Sequence, residues 1–198
     1  MHPTVFSPCV QQSTGTAIFH KHLNHRRGIV STAVLKIISL ISATTLTGKS
    51  ERTLWRWVTD GTLLRSNNEI GRGKTAVCLD SVKPHFCVPL APEDFDLVLS
   101  ADAGNAEAQN DLGLFFLENE KPKSAVYWLK LAAKQEYGDA MHWLGRCYLE
   151  GKGVAKEENM GIMWLSKAAA ISHGISQAQM QVLRDGFIKN SCGLCLHE

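Results

Sequence analysis

The feature that most constrains this chain is that part of it repeats itself. Gly104, Asn105, Ala106, Glu107, Ala108, Leu112 and Gly113 align with Glu136, Tyr137, Gly138, Asp139, Ala140, Leu144 and Gly145 at an offset of 32 residues. Trp128, Leu129, Ala132 and Ala133 align with Trp164, Leu165, Ala168 and Ala169 at an offset of 36. The four extra residues fall in a loop, residues 150–158 in the second copy against 118–123 in the first. Self-similarity at this period is the mark of a stack of helix pairs, in which each unit buries its apolar face against the next.

The residue types fit that packing. Ala108, Ala132, Ala133, Ala140, Ala168 and Ala169 are small enough to let helices approach, and Leu112, Leu144, Trp128 and Trp164 are the large knobs between them. Gly113 and Gly145 stand inside the expected helices, where glycine costs about 1 kcal/mol relative to alanine. Their recurrence therefore implies close backbone contact. The second copy carries Ala140, Leu144-Gly145, Tyr148, Gly151-Lys152-Gly153-Val154, Trp164, Lys167-Ala168-Ala169 and Gly174. This pattern resembles the Sel-one-like repeat, a relative of the tetratricopeptide repeat. Two departures stand out: Glu136 occupies the place of an interhelix glycine, and the first copy lacks the Gly-x-Gly loop. The resemblance implies a short α-α solenoid over residues 93–190, with a half-repeat at Glu93–Ala101 leading in, two repeats, and a terminal helix from Ile175 to Lys189. Residues 191–198 are expected to be a tail.

Charge divides the chain differently from the overall +2. Residues 1–90 hold 11 Lys/Arg against 4 Asp/Glu, a balance of +7, and residues 91–198 hold 10 against 15, a balance of −5. The split suggests a basic module with an anionic partner joined to an acidic module with another task. Residues 1–30 are expected to be a disordered arm. From there to residue 88 the pattern is two helices about a tight turn at Gly48, with Ser50 as the natural N-cap of the second helix and Gly61 as its stop. Residues 62–65 and 75–79 are expected as short strands, residues 66–74 as their turn-rich connection, and Asp80–Lys83 as the start of a short helix limited by Pro84.

Ser50, Arg52, Thr53, Leu54, Arg56, Trp57 and Gly61 resemble the recognition-helix segment of the MerR and phage-excisionase superfamily. Thr44, where that family prefers alanine, and a longer, less arginine-rich wing depart from it. The resemblance implies a winged helix-turn-helix with a small β-hairpin over residues 31–88. Arg52, Thr53 and Arg56 would then face the major groove, and Lys49, Ser50, Arg65, Arg72 and Lys74 would lie near phosphates. So few phosphate contacts bind weakly and salt-sensitively, which brings in a homodimer or a second protein.

No catalytic constellation emerges. Gly71-Arg72-Gly73-Lys74 is too short for a phosphate loop. Cys192, Cys195 and His197 supply three soft ligands where a structural zinc site takes four. No enzyme activity, metal or cofactor is expected, and the six cysteines read as reduced thiols. The apolar run from Gly28 to Ala43 follows a basic stretch, but Lys36 interrupts it and Ser31, Thr32, Ser39 and Ser42 dilute it. It falls short of the roughly 20 apolar residues that span a bilayer. A cytoplasmic protein without a membrane span is expected. The overall expectation is a mainly α chain acting as a DNA-associated regulator or adaptor, whose repeats dock a protein partner through Asn110, Asp111, Met141, His142 and Arg146. The alternative is an interaction scaffold that does not bind DNA.

Overall fold

The computed structural model describes residues 36–70, 74–171 and 173–193. The arm expected over residues 1–30, and Cys195 and His197, lie outside the described residues.

Strand β1, Ile37–Ser39, leads directly into helix α1, Leu40–Thr47. Ser39 caps that helix by accepting from the Ser42 N–H, and Gly48 ends it at φ 63, a left-handed conformation that costs glycine nothing. Helix α2, Glu51–Thr59, opens on Ser50, whose hydroxyl accepts from the Thr53 N–H. Its inner face places Leu54 in the core, with Trp57 and Val58 half-buried against it. Strands β2, Arg65–Ile70, and β3, Lys74–Cys78, follow as an antiparallel pair. β1 adds to the free side of β3, with Ile38 opposite Val77, so the sheet order is β1-β3-β2. The sequence pattern gives no sign of β1, and β2 reaches five residues into the expected connection. Helix α3, Leu79–Val82, and a 3-10 turn at Lys83–His85 complete this part.

The rest is helical. α4, Phe95–Ala103, precedes two helix pairs, α5 (Ala106–Glu118) with α6 (Pro122–Lys134) and α7 (Gly138–Glu150) with α8 (Glu158–Ala170). α9 runs from Gly174 to Gly193 and so continues past the expected end at Lys189. The helical glycines act as their recurrence implied. A Cβ on Gly113 would meet the Leu129 side chain at 2.9 Å, and one on Gly145 would meet the Gly161 carbonyl oxygen at 3.0 Å. Gly153, at φ +74, lies so close to Pro122 that a Cβ would stand 2.3 Å from its carbonyl oxygen. The loop peculiar to the second repeat is therefore seated on the start of α6. Glu136 takes the left-handed φ of 61 that the interhelix glycine would supply, and Glu120 does the same at φ 57.

The core does not stop where the repeats begin. One cluster of buried residues runs from Ile38, Leu46 and Leu54 through Val98 and Ala108 to Leu112, Phe116 and Trp128. A second, around Leu129, Leu144, Cys147 and Ala168, lies within the repeats. Polar contacts cross the same seam. Asp102 of α4 accepts from the Ser39 N–H at 2.9 Å and the Ser39 hydroxyl at 2.6 Å, and from the Ser42 hydroxyl. The Trp128 indole donates to the Thr45 hydroxyl at 3.0 Å, and the Ser124 hydroxyl donates to the Thr45 carbonyl at 2.9 Å. The described residues accordingly form one compact unit. Elements that differ in charge and pattern share a single interior.

Candidate functional site

Two surfaces come from the sequence expectations. The first is the outward side of α2. Lys49, Ser50, Arg52 and Arg56 are exposed there, and Trp55 stands between Arg52 and Arg56 at 40% exposure, while Arg65 is exposed at the start of β2. Thr53 is half-buried, with its hydroxyl 2.9 Å from that of Ser50. Arg52, Trp55, Arg56 and Thr59 share one face by helical spacing, while Leu54 and Val58 point inward. Arg72 and the side chain of Lys74 lie outside the described residues.

The second surface was expected at Asn110, Asp111, Met141, His142 and Arg146, and the structure corrects it. Asn110, Met141 and His142 are buried at 3%, 4% and 5% exposure. Asp111 is exposed and Arg146 half-buried. The reason is that α7 is covered on both sides. Met141 packs in the repeat core, and α9 closes over His142. The fully buried Ser176 hydroxyl lies 3.0 Å from His142 Nδ1 and 2.8 Å from His173 Nδ1. The two imidazoles stack with centroids 4.9 Å apart, and His173 Nε2 sits 2.9 Å from Asp139. Burial, then the neighbouring His173 and Arg146, lower the pKa of His142, and Asp139 partly opposes them. His142 is therefore a structural link between α7 and α9 and not a partner contact.

Among the hollows on the repeats, those of about 590 and 420 Å³ lie between α8 and α9 and around Trp164. Another is a groove of about 520 Å³ where α5 and α7 end side by side. Leu117, Pro122, Trp143 and Cys147 form its apolar lining, and Glu118, Glu120, Arg146, Glu150 and Lys152 its polar one. The Arg146 guanidinium lies 4.9 Å over the Trp143 ring and pairs with Glu150 at 3.0 Å. Lys152 pairs with the other oxygen of Glu150 at 2.6 Å. Hydrogen bonds from Lys152 and Arg146 hold the Glu150 carboxyl below its ordinary pKa. Burial pushes the Cys147 thiol up to about 11, so at neutral pH it is an unreactive lining group. Of the groove's lining residues only Arg146 is among the expected partner contacts. Trp143, Arg146 and Glu150 fall at i, i+3 and i+7 on one helical face, which is the signal that could have revealed it.

Chemistry elsewhere is sparse. Among the described residues no group of three or more His, Cys, Asp or Glu side chains could hold a metal ion. No described helix is long and apolar enough to cross a membrane. The described cysteines Cys78, Cys87 and Cys147 are free thiols.

Comparison with known proteins places the repeats. Residues 106–137 and 138–173 match the Sel1 repeat family, and those bounds coincide with the helix pairs α5–α6 and α7–α8 together with the turns that follow them. Wolframin of Homo sapiens is 32% identical over 94 residues, which is 43% of this chain and 11% of that protein. A Sel1 repeat protein of Oxalobacter formigenes, known from a crystal structure, is 30% identical with a TM-score of 0.41, covering 44% of this chain and 26% of that one. The chain thus spans a minor part of the length of these relatives. It carries two Sel1 repeats, and its helical-hairpin architecture is that of a repeat solenoid.

Proposed function

We propose that this chain is an interaction scaffold whose repeats hold a protein partner and whose residues 36–90 close the first end of the stack. An array of two repeats is near the lower limit of stability, and terminal units must cover the open ends. The shared core and the Asp102 contacts support a closing role for the N-terminal elements. The observation that carries the binding role is the groove between the ends of α5 and α7, where an aromatic ring and charged groups face solvent together. Site-specific photo-crosslinking tests it. A photoreactive residue replacing Glu118 or Glu150 is expected to yield protein adducts, while one replacing Lys134 or Ala170, at the ends of α6 and α8, yields none. Equal adducts from both sets, or adducts only from the second, would count against the reading.

A second reading is kept because one observation favours it. The exposed Arg52, Trp55 and Arg56 on α2, with Lys49 ahead of the helix, lie on the face that the MerR-like resemblance assigns to DNA, and Arg65 on β2 is exposed as well. In that reading the protein is a DNA-associated regulator, winged helix-turn-helix in plan and acting as a homodimer. Its test is a DNA titration at low and moderate salt with wild type and an Arg52→Ala/Arg56→Ala variant. Salt-sensitive binding that the variant loses supports it, and absence of binding by wild type at low salt removes it.

A further inference from the structure

The polar lining of the groove is not electrically balanced. Glu150 is engaged by both Arg146 and Lys152, which leaves those cations occupied. Glu118 and Glu120 stand on the opposite rim, and no described cation pairs with either. Glu118 is the last residue of α5 and Glu150 the last of α7, so two helix C-termini, each the negative end of its dipole, reach the groove. One opposing end is present, the start of α6, and there Pro122 lacks the N–H that another residue would offer. The field in the groove is therefore negative at one rim. The floor beneath it is apolar, with Trp143 flanked by Leu117.

Resting on the reading of the repeats as a partner-binding module, we propose that this groove takes a basic peptide segment with an apolar or aromatic anchor. The anchor side chain packs on Trp143 and Leu117, and a lysine or arginine close to it in sequence pairs with Glu118 and Glu120. An acidic segment meets two uncompensated carboxylates and two helix C-termini at the same rim, which costs desolvation without a counter-charge. A neutral apolar segment leaves the two carboxylates without the pairing that gives the site its selectivity.

The test uses the full chain, immobilised, and a library of random peptides. Enriched peptides are expected to carry Lys or Arg within a few residues of an aromatic or aliphatic side chain. Binding of one such labelled peptide, followed by fluorescence anisotropy, is expected to weaken at least about tenfold in the Glu118→Lys/Glu120→Lys variant and to weaken with added salt. Both positions are exposed, and circular dichroism checks that the variant keeps its helices. Trp143→Phe, which keeps a ring on the floor, is expected to retain most of the affinity. Enriched peptides without basic residues, or equal binding by the charge-reversed variant, would overturn this proposal while leaving the scaffold reading in place. A selection that enriches nothing would overturn both.

Discussion

Asp102→Ala is the most informative single perturbation, because one carboxylate joins the N-terminal elements to the repeats. Its two oxygens accept from the Ser39 N–H, the Ser39 hydroxyl and the Ser42 hydroxyl. Ser39 and Ser42 are 7% and 2% exposed, so the lost acceptor is replaced only as far as water enters the adjoining cavity of about 230 Å³. The two hydroxyls already lie 3.0 Å apart and can satisfy one another, which limits part of the damage. The Ser39 N–H has no such substitute. A hydrogen bond to a charged group contributes about 1.5–3 kcal/mol, and a buried donor left alone costs about 1–3 kcal/mol. The expected loss is therefore about 2–4 kcal/mol, or a fall of roughly 5–15 °C in Tm for a body of this size. Asp102→Asn keeps one acceptor for the Ser39 N–H and can donate to a hydroxyl, so about 1 kcal/mol is expected. Urea unfolding followed by tryptophan fluorescence reads both parts at once, since Trp55 and Trp57 lie in α2 and Trp128, Trp143 and Trp164 in the repeats. A loss below about 0.5 kcal/mol for the alanine variant would refute the reasoning, since it lies within the range of ordinary surface substitutions.

Other outcomes follow from single positions. Asn110 and Ala140 stand where His142 and Ser176 stand one repeat later, and the Asn110 side-chain oxygen is buried without a partner. Ala140→Ser is expected to supply the missing hydroxyl and raise stability by about 0.5–1 kcal/mol, measured by urea denaturation; a loss of 1 kcal/mol or more would mean the correspondence fails. Glu136→Gly relieves a left-handed residue at φ 61, and a gain of about 0.5–1 kcal/mol is expected after the added chain entropy is counted; an unchanged Tm would show no strain there. Gly61 and Gly153 both have positive φ, but only Gly153 faces a backbone atom within reach of a Cβ. Gly153→Ala is thus expected to cost clearly more than Gly61→Ala in the same thermal melt. His142 has a folded-state pKa below its ordinary 6.5, so the unfolded chain binds the proton more readily. Stability is expected to hold above that pH and to decline as pH falls below it, and His142→Gln should flatten the decline.

The repeats were legible because their signals are local and recur. An alanine, a Leu-Gly pair and a tryptophan at fixed offsets report the packing of one helix on the next, and the close contacts of Gly113 and Gly145 bear this out. The turn at Gly48 and the cap at Ser50 were legible for the same reason, since capping chemistry is decided within a few residues. β1 was not, because three residues inside an apolar run show no alternation, and the strand exists only through pairing with β3 about forty residues on. The burial of Met141 and His142 was hidden likewise. Helical spacing tells which residues share a face, but α9 decides that the face is covered. The groove escaped because its walls come from two helices, and only their packing brings Glu118 opposite Trp143 and Arg146.

The central claim is that residues 36–90 are the closing end of the repeat stack and part of the same cooperative body. Native-state hydrogen exchange measured by mass spectrometry in the presence of low urea tests it directly. Peptides covering β1, α1 and β3 and peptides covering α5 and α6 are expected to open with the same free energy and the same urea dependence. Exchange from the N-terminal peptides at a free energy several kcal/mol lower, with the repeats still protected, would contradict it.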